Sequence, residues 1–139
     1  MTRRLLLFAP IASLLRADTA QDVWDLFTSL ASALSEGNSV AFLKGFSTGM
    51  PGYEQLRADV NALLRQATVQ SSIQFVKNDG DDQARVVEVD WFLQLVRQQD
   101  AAGLERRERH VTCHLKKSGK RWQIVALDPL SFFAPPKPA

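Results

Sequence analysis

The hydrophobic period of this chain changes once, at Thr68, and that change dictates an α+β fold with its helices first. Ahead of it, Val23, Leu26, Phe27, Leu30 and Leu34 recur at helical spacing and form one apolar face. Thr19-Ala20-Gln21-Asp22 stands before that face in the form of a capping box, with Asp in the place of Glu. Gly37-Asn38 stops the helix, and Asn38 or Ser39 caps a short second one that ends near Phe46. The run Ser47-Thr48-Gly49-Met50-Pro51-Gly52 is a break, and a third helix follows from about Tyr53 to Gln66. Beyond Thr68 the alternation predicts four strands, over about 69–77, 84–98, 104–117 and 121–128. Residues 78–82, residues 99–103 and a tight turn at Ser118-Gly119 connect them, and Pro129 ends the last strand. The proline-containing tail 134–139 is expected to be loose.

Hairpin geometry turns that layout into a register. Symmetric turns pair Leu115 with Trp122, Cys113 with Ile124, Val111 with Ala126 and Arg109 with Asp128. The middle hairpin sets Val89 against Cys113 and Trp91 against Val111, and the first sets Ile73 against Val87 and Ser71 against Val89. One face then reads Val69, Ser71, Ile73, Phe75, Val87, Val89, Trp91, Leu93, Val111, Cys113, Leu115, Trp122, Ile124 and Ala126, and the helices must cover it. The other face mixes Glu88, Asp90, Gln94, His110, Thr112 and His114 with Val86, Phe92, Val96 and Val125, a blend that suits water or a partner. Strands this long twist and curl, so the covered face is concave.

The first residues have their own pattern. Arg3 and Arg4 precede an apolar run from Leu5 to Leu15, too short to span a bilayer, and Ala17 or Ala20 offers a cleavage point. Residues 1–17 therefore read as an export signal, with residues 18–133 as one domain in the periplasm or the medium and no membrane attachment after cleavage. Loss of Arg3, Arg4 and Arg16 reduces the 17 basic residues to 14 against 15 acidic, a net charge of −1. A nearly neutral chain has no general attraction for phosphate backbones, which argues against nucleic acid as a partner. Cys113 is the one cysteine, so an internal disulfide and multi-cysteine metal sites are excluded, and no cofactor motif is present. Asp79, Asp81 and Asp82 lack the spacing of a calcium loop and read as a hairpin turn.

Helices followed by a long meander that ends in Arg121-Trp122-Gln123-Ile124-Val125 and continues to Phe133 resembles the nuclear transport factor 2-like superfamily. That group includes SnoaL-like cyclases, ketosteroid isomerases and scytalone dehydratases. The resemblance implies a cystatin-like cone around a pocket, and Met50-Pro51-Gly52-Tyr53 and Val89-Asp90-Trp91 look like exported bacterial members without assigned activity. It carries fold more than chemistry, because this fold hosts many functions.

The resemblance leaves two sets of candidates. Asp90, His110 and Tyr53 are the residue types that a proton-transferring site beside an apolar ligand requires. The register puts Asp90, His110 and His114 away from the helices, which favours solvated or interface roles, although one β-bulge would reverse a face. Trp91, Arg109, Trp122, Asp128 and Tyr53 are the candidates for holding a small hydrophobic ligand, with Arg109 and Asp128 as an ion pair at the cone's rim. The expected function is a non-enzymatic apolar-ligand-binding or assembly module, with homodimerisation through the outer sheet face. An isomerase or dehydratase acting on a small hydrophobic substrate is the alternative.

Overall fold

The computed structural model describes residues 2–98 and 103–136, with side chains from Thr19 onward. The order is α1 (Thr2–Ser35), α2 (Ser39–Leu43), α3 (Tyr53–Gln66), β1 (Ala67–Gly80), β2 (Ala84–Arg97), β3 (Leu104–Ser118), β4 (Arg121–Asp128) and a 3-10 helix (Leu130–Phe133). The strands form one antiparallel sheet in sequence order. Helices followed by a curved, unclosed four-stranded sheet are the α+β architecture that the change of period predicts.

The helix ends follow local chemistry, with one correction. Asn38 caps α2 through its side-chain oxygen, which accepts from the Ala41 amide at 3.0 Å. Thr19 does not cap α1, because the helical backbone runs through it. Its hydroxyl donates instead to Asp82 Oδ1 at 3.1 Å, tying α1 to the β1–β2 turn. The side chains of the expected signal segment, residues 1–17, lie outside the described residues.

All three predicted registers are displaced, and the size of each displacement decides which side chains kept their face. In the first hairpin Ile73 pairs with Trp91 and Phe75 with Val89, because Asn78, Asp79 and Gly80 join the ladder that the sequence reading ended before them. The turn moves to residues 81–84, where Asp81 Oδ1 accepts from the amides of Gln83 and Ala84 at 2.8 and 2.9 Å. These two bonds also hold its carboxyl below the usual range. A bulge between Phe75 and Lys77 absorbs one residue, so the net slip is even and the predicted face survives. In the middle hairpin Val89 pairs with Val111 and Trp91 with Arg109, again an even slip.

The last hairpin is different. Its turn is Gly119-Lys120, with glycine at φ 63° in the first position, a conformation that a side chain disfavours. Leu115 then pairs with Ile124, and a bulge at Val125 sets His114 against Ala126, Cys113 against Leu127 and Thr112 against Asp128. Beyond the bulge the slip is odd. Leu127 therefore takes the buried place expected for Ala126, and Asp128 turns to the outer face.

The core fills the hollow of the sheet. Phe27, Phe42, Phe46, Trp91 and Phe133 are each at most 2% exposed. Phe133 meets Phe42 at 5.3 Å and Trp91 at 5.0 Å between ring centroids, and Phe42 meets Phe46 at 5.0 Å. Such contacts add about 0.5–1.5 kcal/mol per pair to the burial itself. The chain after β4 closes this cluster, and Arg107 on β3 fastens that closure. Its guanidinium donates to the carbonyls of Phe132, Ala134 and Pro135 at 2.8, 2.7 and 3.1 Å and also pairs with Glu105. The tail expected to be loose is thus anchored as far as Pro136, which is buried.

Both sheet edges are managed. Beside β4, Gly45 O accepts from the Ile124 amide at 2.8 Å and the Ser47 amide donates to Ile124 O at 2.9 Å. On β1, α1 lies alongside, Trp24 packs on Phe75 at 3.9 Å, and the bulge breaks the flat edge.

Candidate functional site on the outer sheet face

The outer face of the sheet brings together the one cluster of interacting titratable groups that the sequence singled out. Asp90 on β2 pairs directly with His110 on β3, and Glu88 lies one step along the same face. His110 Nδ1 is 2.9 Å from Asp90 Oδ1 and Nε2 is 2.7 Å from Glu88 Oε1. An ionised carboxylate only accepts, so both contacts are hydrogen bonds when both ring nitrogens carry protons, in the imidazolium form. The bonds that His110 donates to Glu88 and Asp90 accordingly raise its pKa above the ordinary value, against a smaller opposing effect of desolvation. Lys77 reaches Glu88 at 3.8 Å and Asp79 at 3.5 Å.

Two hollows flank this cluster. On one side Ser72, Phe92, Gln94, Arg106 and Glu108 help to line a groove of about 540 Å³. On the other, Val86, His114 and Val125 border a hollow of about 180 Å³. Among the described residues Arg106, Glu108, Lys116 and Asp128 have no ion-pair partner, so the face carries uncommitted charges of both signs.

The other candidates do not join this cluster. Tyr53 is half-buried at the start of α3 and packs against the core. Trp91 is fully buried, and its indole Nε1 donates to Ser71 Oγ at 2.8 Å. Trp122 is buried too, with an Nε1 that has no hydrogen-bond partner among the described residues. Arg109 faces Trp91 in the ladder and is exposed, whereas Asp128 faces Thr112 on the other side of the sheet. The expected rim pair between them does not form. Cys113 is buried, and burial pushes its thiol pKa up, which keeps it unreactive. The described residues hold no group of His, Cys, Asp and Glu able to bind a metal ion and no helix long and apolar enough to cross a membrane.

Arg107 is the residue that sequence reasoning missed. Its parity on β3 put it on the covered face, and a cation there signals buried acceptors, which proved to be backbone carbonyls of the chain's own end.

No protein-family model and no curated protein matches the chain. Solved structures do. A conserved protein from Planctomyces limnophilus is 10% identical, with a TM-score of 0.73, over 81% of this chain and 94% of its own. A nuclear transport factor 2-like superfamily protein from Salmonella enterica is 12% identical, with a TM-score of 0.65, over 80% and 89%. A ketosteroid isomerase-like protein from Erwinia carotovora is 10% identical, with a TM-score of 0.64, over 78% and 92%. At such identities the likeness speaks for the fold alone. With its helices packed into the hollow of a four-stranded meander, this chain has the nuclear transport factor 2-like, cystatin-like cone fold.

Proposed function

We propose that the protein is a non-enzymatic assembly module that binds a second copy of itself through the outer face of its sheet. The observation that carries this reading is the filled cone. Trp91, Phe42, Phe46 and Phe133 occupy the space where a pocket for a small hydrophobic ligand is expected, while Asp90 and His110 meet on the opposite side of the sheet. The acid–base chemistry is thus separated from the apolar interior, which disfavours the isomerase or dehydratase alternative. The outer face suits self-association. Phe92, Val86, Val96 and Val125 are half-buried there, and Arg106, Glu108, Lys116 and Asp128 have no ion-pair partner among the described residues, a need that a two-fold contact can satisfy reciprocally. Removal of residues 1–17 on export belongs to the same proposal.

Sedimentation equilibrium of the wild type and of Phe92→Arg tests the pairing. A wild-type dimer that the substitution converts to a folded monomer supports it. A monomeric wild type, or a dimer indifferent to Phe92→Arg, refutes it.

A further inference from the structure

The position of His110 has a consequence for that pairing, on which the following rests. Its ring lies between two carboxylates near the middle of the outer face and spans two strands, bonded to Glu88 and Asp90 through its two nitrogens. Protonated, the cluster carries one net negative charge. On losing the proton, one of the two bonds must fail, because a neutral imidazole has one N–H to donate, and the net charge becomes −2. Under two-fold symmetry this happens in both copies, so deprotonation adds two negative charges to a surface that pairing removes from water.

The remaining charged groups of this face do not cancel that change. Lys77 is shared between Glu88 and Asp79. Glu108 and Asp128 add to the negative field, while Arg106 and Lys116 lie four and six residues from His110 along β3, pairing with Gln94 and Ala84. His114, the other histidine, faces Val86 and Ala126 and has no ion pair with a carboxylate among the described residues, so it serves as an internal control.

We infer that His110 is a proton-dependent latch: the outer face holds a second copy while the imidazolium bridges Glu88 and Asp90, and releases it when the proton leaves. The range of action lies above the ordinary histidine value, since both carboxylates favour the charged ring. A copy therefore stays paired below the ordinary histidine value and separates as pH rises through the raised one.

Sedimentation equilibrium at constant ionic strength from about pH 6 to about pH 9 tests the latch on the full chain, with His110→Gln and His114→Gln beside the wild type. The expected result is a wild-type dissociation constant that rises by at least about tenfold across the range, a flat profile in His110→Gln, and wild-type behaviour in His114→Gln. A dimer whose dissociation constant ignores pH overturns the latch and leaves the pairing standing. So does a pH dependence that persists in His110→Gln. A monomer at every pH overturns the pairing itself, and the latch with it.

Discussion

Phe133, from the 3-10 helix after β4, stands edge-on to Trp91 of β2, with centroids 5.0 Å apart and planes at 83°. The 3-10 turn after β4 therefore fills the interior that a ligand would have to enter. Both residues are fully buried, so the contact ties the segment after β4 to the middle of β2 as well as occupying the centre of the sheet's hollow.

Phe133→Ala removes the ring from this cluster and leaves a cavity against Trp91, Phe42 and Phe132. A loss of about 3–5 kcal/mol in unfolding free energy is expected, the range for large-to-small changes in a packed core. Urea denaturation of the variant measures it, and a loss below about 1 kcal/mol would mean that the ring is not packed as described.

Arg107→Ala leaves three backbone carbonyls without their shared donor. The guanidinium is largely shielded from water, and bonds to charged groups contribute about 1.5–3 kcal/mol each in such settings, with incomplete additivity. Faster amide exchange is expected at Ala134, whose N–H is held by Ser131 O at 3.1 Å, with little change in the strands. Arg107→Lys should recover part of the protection, since an ammonium lacks the planar fork that reaches several carbonyls at once.

The stability of the single chain should also follow the protonation of His110. Its folded pKa is raised by Glu88 and Asp90, so the contribution is fully present below the ordinary histidine value and disappears as pH rises through the folded one. Thermal denaturation at low protein concentration should show a fall in Tm on the alkaline side that His110→Gln removes. A Tm that rises across the same range would contradict the geometry of the cluster.

Removal of the export segment is expected after Ala17 rather than after Ala20. Thr19 holds Asp82, and the Ala20 carbonyl accepts from Asn78 Nδ2 at 3.1 Å, so the later cut would remove both contacts. N-terminal sequencing of protein recovered from an exporting host should begin at Asp18. A start at Gln21 contradicts this, and an intact Met1 contradicts the signal reading.

The sequence revealed faces better than partners. Two even slips left Val87, Val89, Trp91 and Leu93 buried and Asp90 and His110 outside, because period two tolerates any even error in register. The bulge at Val125 broke that protection for Leu127 and Asp128, and bulges leave little trace in a single sequence. The same limit hid the rim pair's failure: Arg109 and Asp128 matched only under an unbroken ladder. The direct pairing of Asp90 with His110 depended on a middle register that the loop at 99–103 did not fix. The aromatic filling of the cone was invisible for another reason. Phe42 comes from α2, Phe46 from the bridge to Ile124 and Phe133 from the 3-10 helix, and their gathering into one cluster with Trp91 is a tertiary event.

The most direct test of the outer face as a pairing surface is an isotope-filtered NOE experiment on a mixture of labelled and unlabelled copies at about pH 6, below the range where His110 loses its proton. Intermolecular contacts from the Phe92 ring to the methyl groups of Val86, Val96 or Val125 are predicted. Contacts confined to α1 or to the β1 edge, or none in a mixture of dimeric mass, would contradict the assignment of this face.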